Sequence, residues 1–543
     1  MKQKQIFGII EYDSKLVLNY LKKDIDDDWF QDPIRYIDFT ILSKEDMVIE
    51  KNIRDNFGRY NAMKRELYYL PKGDFTLRYS LETNYYERYL YLCLVLPLMK
   101  MFDPLLDRRV FSHRYCNDGK YIFRNSIKQW EKFEGIVRCE SDNKCILVTD
   151  IQNYYENIRL DILKEDLEKC LHQINPETSR ELVQIRFIID RLMECLEKWS
   201  FDGKRGLPQN RDCSSFLANI YMKAIDEVLI GLNFNYYRYM DDIRVVCEDN
   251  FTARRALKEL VNHLREKHLS VNGKKTEIIM PGSEKHKLMM QPNIDLKRID
   301  SLLATRKKAN VAVGYNLLKE KCLKLIEENR FEDREFRFCI NRLSKLARCK
   351  EYIVPNGYWK EIADGIVKAI AECPTCTDRI YEFLAAVGLD DVAKNVIKEY
   401  LSNRKKSIYE WQNYWLWKLL IVCDVNDDEL IKVAREIFNL NSAIPDISGA
   451  ILYLASFGKK SDKLMIMNSI SKKDSIFLQR HKWLASKGLD WIKDQVQTKK
   501  SEMHECLLDT YRIINNREQI REIVSPPPPT KFSDILRSLH QYD

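Results

Sequence analysis

The chain has 543 residues, more than one typical domain holds, so we expect at least two domains. Its 45% hydrophobic and 11% aromatic residues exclude global disorder, and its 17 glycines and 15 prolines favour a helix-rich protein over an all-β one. The formal charge of +8, from 89 basic and 81 acidic side chains, is too small to identify nucleic acid as a partner.

The cysteines and apolar segments indicate the compartment. The 15 cysteines are scattered and odd in number, which is typical of free thiols in a reducing cytosol. The first residues, MKQKQIFGIIEYDSK, hold only a very short apolar run, so we expect no signal peptide. The longest near-apolar stretch, Tyr89 to Met99, is about half the ~20 residues that a membrane span requires. We therefore expect a soluble, cytoplasmic protein without a membrane partner.

Residues 1–60 are predicted to form an N-terminal extension in which apolar and acidic patches alternate. Four acids lie close together there: Asp24, Asp26, Asp27 and Asp28. Closely spaced acids can bind a metal, but a solvated turn is the preferred interpretation.

Residues 61–282 mix short strands with helices. The segment ILVTDI (146–151) predicts a buried strand that ends in an acid, and YYRYMDDIRVVC (236–247) predicts two strands around an acidic turn. Between them, SSFLANIYMKAIDEVL (214–229) has apolar residues at helical spacing. This order of strand, helix and hairpin is typical of a compact α/β layer.

Strand signals nearly vanish after residue 285. Amphipathic stretches of helical period follow one another with short polar breaks, which favours an α-solenoid of degenerate repeats over residues 283–520. Residues 521–543 are predicted to be a linker and tail, in which Pro526 to Pro529 form a stiff polyproline segment.

The acidic turn Tyr239-Met240-Asp241-Asp242 carries the strongest chemical signal. Two adjacent acids in a turn are usually only a turn, but these lie between two buried strands. Asp150 ends another apolar strand, so neighbouring strands would bring it to the same point as Asp241. Hard carboxylate oxygens at a strand edge suit Mg²⁺, and two such ions can assist phosphoryl transfer.

Four motifs in this region resemble those of the reverse transcriptases, in the same order. Asp150 opens a D-x-x-x-[FY]-[FY] run that ends at Tyr154-Tyr155, and Gly206-Leu207-Pro208-Gln209 precedes Ser214 and Leu217-Ala218-Asn219. The Y-x-D-D turn and a lysine motif ending in Lys274-Lys275-Thr276 follow. The resemblance implies an α/β right-hand polymerase of fingers and palm over residues 61–282, followed by an all-α, HEAT-like domain that replaces the thumb.

The resemblance also implies roles for individual residues. Asp150 and Asp241, with the carbonyl of Ile151, would bind Mg²⁺ (or Mn²⁺), and Asp242 would complete the acidic trio and tune the site. Tyr155 would exclude a ribose 2′-hydroxyl, unless Tyr154 and Tyr155 are both core aromatics. Gln209 would lie along the nascent base pair, and Lys275 would donate a proton to pyrophosphate. Asn210 stands where the family commonly has glycine, which puts template use in doubt.

Upstream, Leu70-Pro71-Lys72-Gly73 with Arg78 resembles the fingers motif of the same family. Lys72 and Arg78 would then neutralise charge on a triphosphate; the alternative is two cations on a surface hairpin. Arg114, in VFSHRY (110–115), is either a template or nucleotide contact or a structural arginine.

Three further features have open or structural interpretations. The basic stretch from Arg254 to Lys275 either tracks a phosphate backbone or is a solvated helix face. Cys373-Pro374-Thr375-Cys376 has no second pair at zinc spacing, so a helix-end coincidence is preferred. The tryptophans at 411, 415 and 417 are interpreted as core packing between helices, with base stacking as the alternative.

The architecture of palm, fingers and helical extension resembles that of bacterial abortive-infection and defence-associated reverse transcriptases. That resemblance implies antiphage DNA synthesis from dNTPs, RNA-directed or template-independent, with protein priming or a partner non-coding RNA as possibilities and a homo-oligomer as the assembly. The first alternative is a mobile-element reverse transcriptase, of group II intron or retron-like type. The second is a non-catalytic scaffold that binds nucleic acid.

Overall fold

The structure is a computed structural model that describes residues 3–487, except for short gaps at 27, 43, 74–75, 117–120, 175–177, 292–293, 350–356 and 441. Beyond residue 487 it describes 489, 507, 510 and 520–525. The Pro526–Pro529 segment lies outside the described residues.

Helices outnumber strands along the described chain. The strands are β1 Gln3–Ile6, β2 Ile10–Asp13, β3 Glu66–Lys72, β4 Thr76–Glu82, β5 Cys145–Asp150, β6 Asn235–Tyr239, β7 Asp242–Cys247 and β8 Glu277–Ile279. The first ten helices are α1 Ser14–Asp26, α2 Ile37–Leu42, α3 Glu45–Asp55, α4 Tyr85–Phe102, α5 Ser126–Glu140, α6 Tyr154–Asn157, α7 Leu160–Gln173, α8 Ser179–Trp199, α9 Asp212–Gly231 and α10 Asn250–Glu266. The others are α11 Glu284–Met290, α12 Ile294–Ala304, α13 Lys308–Glu327, α14 Arg334–Ala347, α15 Gly357–Lys368, α16 Thr377–Val387, α17 Asp391–Ser402, α18 Glu410–Val422, α19 Asp428–Asn439, α20 Ile444–Phe457, α21 Lys460–Asn468, α22 Ile476–Leu484 and α23 Ile520–Val524.

The chain divides into two compact units that interleave along the sequence. The first comprises residues 1–28, 43–67 and 80–293, and the second comprises residues 29–42, 68–79 and 294–543. The helical region was predicted to start at residue 283, and the inclusion of residues 29–42 and 68–79 in it was not predicted. Most of the β3–β4 hairpin therefore belongs to the second unit.

A four-stranded antiparallel sheet in the order β6-β7-β5-β8 lies at the centre of the first unit. The predicted strands at 146–151 and 236–247 and the predicted helix at 214–229 are confirmed as β5, the β6–β7 hairpin and α9. Apolar runs such as Ile146, Leu147 and Val148 form strands because helices cover both faces of this sheet.

Alternate residues of β6 show which helix covers which face. Tyr237 donates a hydrogen bond to Glu140 of α5 (2.6 Å), and the Tyr239 ring lies 4.9 Å from Trp130 of the same helix. Tyr236 instead donates to Asp226 of α9 (2.7 Å). One face of the sheet is therefore covered by α5 and the other by α9, against which α10 also packs.

The described part of the second unit is helical, apart from the residues of the β3–β4 hairpin that belong to it. Helices α14, α16, α18, α20 and α22 lie side by side in that order, and α13, α15, α17 and α19 form a second row beside them. This alternation of rows is what a chain of consecutive helix hairpins produces.

Helix α18 is buried all round, which makes it the centre of this unit. The side chains of Trp411, Trp415 and Trp417 are at most 4% exposed, so the prediction that they pack in the core is confirmed. Helix α20 approaches closely at Gly449, where an added Cβ would lie 2.7 Å from the Trp417 ring. No described helix is long and apolar enough to cross a bilayer.

The C-terminal boundary also differs from the prediction. Residues 521–543 were expected to form a linker and tail, but Ile520–Val524 is a helix that packs against α18 and α20. Tyr381 donates a hydrogen bond to the carbonyl of Val524 (3.0 Å).

Candidate active site

Three aspartates meet at one edge of the central sheet. Asp150 ends β5 and Asp242 begins β7, and the two residues are directly opposite each other in the antiparallel register. Side chains of such a pair lie on the same face with Cβ atoms about 5 Å apart. Asp241 lies in the two-residue turn that joins β6 to β7, next to Asp242. Residues about 90 apart in sequence are thus neighbours in the first unit.

Backbone hydrogen bonds hold this edge together. The Ile151 N–H donates to the carbonyl of Asp241 (3.2 Å), which ties the end of β5 to the acidic turn. The Asn272 N–H donates to the carbonyl of Asp150 (2.7 Å), and its side-chain amide approaches the Asp150 carboxylate at 3.4 Å. The Lys275 ammonium lies 3.3 Å from the same carboxylate. Ile151 and Lys275, both predicted site residues, therefore adjoin the aspartates.

The electrostatics of the cluster are those of crowded acids. Burial and the negative charges of Asp150 and Asp242 raise the pKa of Asp241 to about 7. Burial also raises the pKa of Asp242, against the opposing effect of the Arg244 guanidinium. A cation bound at this edge would relieve the repulsion between these carboxylates.

Divalent metal fits these donors by their chemistry. Carboxylate oxygens and a backbone carbonyl are hard ligands of the kind that Mg²⁺ prefers. Within the described residues, however, no three His, Cys, Asp or Glu side chains are gathered so as to hold an ion by themselves. Asp150 is instead directed towards Lys275 and Asn272. The acids are neighbours that would have to turn towards a common ion on binding it.

A buried arginine fixes the acidic turn from behind. Arg238 is fully buried and donates two hydrogen bonds to the Asp226 carboxylate (2.8 and 2.6 Å). Its third nitrogen donates to Asn219 (2.8 Å) and to the carbonyl of Met240 (3.0 Å). Met240 has a φ of +59°, a conformation that is costly for a side chain with a Cβ. The guanidinium therefore anchors a strained turn to α9.

The segment after Gly206 approaches Tyr155. The Leu207 N–H donates to the carbonyl of Tyr155 (3.0 Å), and the Tyr155 hydroxyl bonds to Ser215 (2.7 Å). Tyr154 is buried and donates to the carbonyl of Ala218 (2.5 Å), so it is the core aromatic of the pair, whereas Tyr155 is half-buried. Gln209 is only 5% exposed in this conformation.

The departure at Asn210 has a structural explanation. Its φ is +54°, the left-handed region that glycine adopts freely. Asparagine is among the few other residues that visit this region without large strain. Asn210 therefore keeps the left-handed backbone conformation that a glycine would adopt at this position.

A buried ionic cluster secures the same segment. Arg211 pairs with Asp28 (3.0 Å) and Glu82 (2.7 Å) and approaches Asp24 (3.5 Å), and Arg88 pairs with Asp28 (2.7 Å). The interpretation of the N-terminal acids as a solvated turn was wrong for Asp24 and Asp28, because their carboxylates lie beside these two buried arginines. The side chains of Asp26 and Asp27 lie outside the described residues.

Three further predicted cations are Lys72, Arg78 and Arg114. Lys72 and Arg78 belong to the second unit, where the Arg78 guanidinium lies 5.3 Å from the Trp29 ring centroid. Arg114 is structural, because it is buried against the Asp103 carboxylate (2.9 Å) and also donates to four backbone carbonyls. Cys373 and Cys376 are buried, with their thiols against backbone carbonyls.

Three residues of this edge were not predicted: Arg238, Arg244 and Asn272. Arg244 follows Asp242 by two positions on β7, so strand alternation would have placed it on the same face. Asn272 lies within the lysine motif, and Arg238 lies within the acidic hairpin itself. The sequence signal that could have identified these residues is a polar side chain within an otherwise apolar segment.

Comparison with known proteins identifies this region. Residues 99–332 match the family model described as reverse transcriptase (RNA-dependent DNA polymerase), and that range contains the three aspartates. The chain carries a reverse transcriptase domain. It is an enzyme domain of the nucleotidyltransferase class.

The chain is also similar to a curated protein and to solved structures. The chain is 23% identical over 279 residues to the retron Ec48 reverse transcriptase of Escherichia coli, covering 46% of this chain and 60% of that protein, so it spans less than two thirds of that relative. Among solved structures, telomerase from Candida albicans in complex with a TWJ fragment of telomeric RNA matches at a TM-score of 0.31 and 12% identity, over 67% of this chain and 68% of that chain. Apo telomerase from Candida tropicalis matches at a TM-score of 0.33 and 14% identity, over 69% and 74%.

Proposed function

We propose that this chain is a DNA polymerase, RNA-directed or template-independent, that joins deoxynucleotides at the edge formed by Asp150, Asp241 and Asp242. The observation that carries the proposal is the cross-strand pair Asp150–Asp242 with Asp241 in the adjoining turn, inside a reverse transcriptase domain. The raised pKa of Asp241 supports it, because perturbed carboxylates collect where charge is to be bound.

The proposed site uses Mg²⁺, or Mn²⁺ in its place. Bound by Asp150, Asp241, Asp242 and the carbonyl of Ile151, two such ions would supply the charge neutralisation that phosphoryl transfer requires. Arg238 and Asn219 keep the turn of Asp241 in place, since they fix the Met240 carbonyl and α9 relative to each other. Lys275, 60% exposed beside Asp150, is free to turn towards a phosphate.

Tyr155 is proposed to select deoxynucleotides. Its hydroxyl is held by Ser215, so the ring has a fixed orientation. A rigid aromatic edge excludes a ribose 2′-hydroxyl by steric contact. The proposed contact of Gln209 with the nascent base pair would require the side chain to become exposed.

Primer extension with purified full-length chain tests this activity. The expected result is incorporation of dNTPs that depends on Mg²⁺ and falls by about a thousandfold or more in Asp150→Ala and Asp241→Ala, because the charge-binding groups are lost. Asp161→Ala is the matched control, since Asp161 is an exposed aspartate of α7 that pairs with Arg159. Reactions with an RNA template, a DNA template and no template distinguish the modes of synthesis. Incorporation that survives Asp241→Ala would remove the proposal and leave a non-catalytic nucleic-acid-binding scaffold.

Antiphage defence is the proposed biological role. The two rows of helices in the second unit support it, because the resemblance of the sequence to defence-associated enzymes rests on a large helical extension. We propose that these rows are HEAT-like repeats supporting a homo-oligomer. Phage plating on bacteria that express the chain tests the role. Protection that is lost with Asp241→Ala supports it, whereas equal plaque counts with and without the chain contradict it.

A retron-like, mobile-element enzyme is the second candidate. The 23% identity to the retron Ec48 reverse transcriptase favours it. Sequencing the nucleic acid that co-purifies with the chain separates the candidates. DNA complementary to one co-purified structured RNA supports the retron-like function, and DNA that enters the phenol phase until protease is added supports protein priming.

A further inference from the structure

A row of basic side chains runs along the outer face of α10. At 100° per residue, the exposed residues of this helix fall within one face, and its buried residues Ala253, Ala256, Leu260 and Leu264 lie on the other. We call the exposed row the α10 stripe. Its members are Phe251, Arg254, Arg255, Lys258, Asn262 and Arg265, and it ends at the exposed Glu266, which pairs with His263.

The stripe has four cations against one exposed acid, Glu266, whose carboxylate pairs with His263 rather than with any of the four. No ion pair within 4.0 Å joins Arg254, Lys258 or Arg265 to a carboxylate in the described part of the chain, and Arg255 has none either, although it lies near Asp249. Many other surface cations of the first unit do pair, as Lys164 does with Asp190 and Lys285 with Glu277. Arg254 and Lys258 are four residues apart, a spacing at which like charges destabilise a helix. An anionic ligand would offset that repulsion.

An exposed aromatic ring begins the stripe. Phe251 is 80% exposed, unusual for a large apolar side chain, and the Arg254 guanidinium lies 5.9 Å from its ring centroid. Aromatic rings beside arginine are the elements on which unpaired bases stack. Such a ring would favour an unpaired strand over a fully paired duplex.

The stripe is distinct from the aspartate edge. Helix α10 packs on the α9 side of the sheet, whereas Asp242 and Arg244 alternate onto the α5 side, where Arg244 lies over Phe133. β7 runs away from Asp242, and α10 begins only after the far end of this strand, which lies about 17 Å from Asp242. Only the C-terminal end of α10 returns towards Asn272. The basic stretch thus does not line the aspartate edge over its whole length.

We propose that the α10 stripe binds single-stranded nucleic acid, with phosphates along Arg254, Arg255, Lys258 and Arg265 and a base stacked on Phe251. From Phe251 to Arg265 the helix spans about 21 Å, enough for several consecutive phosphates. This surface holds a strand on the face of the sheet opposite to the aspartates. The inference goes beyond the proposed polymerase function and does not require it.

Fluorescence anisotropy with a labelled oligouridine and the full-length chain in EDTA tests the stripe. The triple variant Arg254→Ala/Arg255→Ala/Lys258→Ala should bind at least about tenfold more weakly at low salt, with a slope of log affinity against log salt reduced by about 2. Phe251→Ala should lose about tenfold, and Phe251→Trp should retain binding because the ring is kept. The matched control is Arg180→Ala/Arg186→Ala/Lys198→Ala, which removes three exposed cations from α8.

Each outcome decides for or against the stripe. Affinity and salt slope that stay unchanged in the stripe variant, or an equal loss in the α8 control, would overturn the proposal. Photo-crosslinking of a 4-thiouridine strand should label the peptide that contains Phe251, and labelling confined to other peptides would also overturn it. Matched RNA and DNA strands show which nucleic acid is preferred. Asp241→Ala should bind the oligouridine as tightly as the unsubstituted chain does. The binding test of the stripe can therefore be interpreted even if the chain fails to incorporate dNTPs.

Discussion

The crowding of acids at the sheet edge predicts that Asp241 destabilises the metal-free protein. We consider Asp241→Asn, which removes one negative charge and keeps the shape of the side chain. Burial and like charge raise the pKa of Asp241 from 3.8 to about 7. At about 1.4 kcal/mol for each pH unit, the ionised carboxylate costs about 2–4 kcal/mol, where the lower figure allows for screening by solvent at the turn.

The sign of the pH dependence follows from the same shift. Between about pH 4 and pH 7 the folded chain keeps a proton on Asp241 that the unfolded chain has released, so stability falls as the pH rises. Above pH 7 both states are ionised and the whole cost is present. The stability gained by Asp241→Asn is therefore expected to increase by about 1–3 kcal/mol between about pH 5 and pH 8.

Hydrogen exchange of the peptides that cover β5 and β7 measures the change in stability at the sheet edge. A local measurement is needed because a chain of two units does not have a single free energy of unfolding. In EDTA, Asp241→Asn should slow exchange relative to the unsubstituted chain strongly at about pH 8 and weakly at about pH 5. Added Mg²⁺ should slow exchange in the unsubstituted chain and have little effect in the variant. Glu165→Gln is the control, because Glu165 is an exposed carboxylate of α7.

Two results would refute this reasoning. If Asp241→Asn increases the local stability equally at both pH values, the ionised Asp241 carboxylate is not destabilised by burial and neighbouring charge. Equal protection by Mg²⁺ in both proteins would mean that the ion binds away from the acidic turn.

Three other substitutions give further expected outcomes. Asn210→Gly should keep primer extension and melting temperature close to those of the unsubstituted chain because φ is already +54°, whereas Asn210→Val should lower the free energy of unfolding by about 1–2 kcal/mol. Tyr155→Val should raise ribonucleotide use relative to deoxynucleotide use by about tenfold or more, measured as the ratio of kcat/KM values, if its ring excludes the 2′-hydroxyl. Gly449→Ala should destabilise the second unit by about 1–3 kcal/mol in thermal melting because the new Cβ would lie 2.7 Å from Trp417, while Gly365→Ala, which meets only the Ile326 side chain at 3.3 Å, should cost less.

The sequence predicted the central sheet because its strands are local signals. β5 is an apolar run that ends in Asp150, and the β6–β7 hairpin is two β-rich arms about a two-residue turn. Antiparallel pairing of these segments then placed Asp150 beside Asp242. The acids were predictable because one strand register determines their neighbours.

The interleaving of the two units was not predictable in the same way. Residues 29–42 belong to the helical unit through contacts such as that of the Trp411 indole N–H with the carbonyl of Trp29 (2.9 Å), a pair 382 positions apart. Such contacts leave no periodic pattern in either segment. Likewise the acids of the N-terminal segment suggested solvent exposure, and only the distant Arg88 and Arg211 explain the burial of Asp28.

Backbone conformation at the site shows how the chain distributes strain. Asn153, Asn210 and Met240 all have positive φ, at +47°, +54° and +59°. For the two asparagines the cost is small, but methionine has no side-chain oxygen to compensate and bears the steric cost in full, about 1–2 kcal/mol. Arg238 and Ser112 both contact Met240, the first at its carbonyl (3.0 Å) and the second at its sulfur (3.0 Å). Met240, the strained residue, thus lies next to Asp241 and is held from two sides by buried polar groups. These contacts keep the acidic turn in a single backbone conformation before any ion or substrate binds.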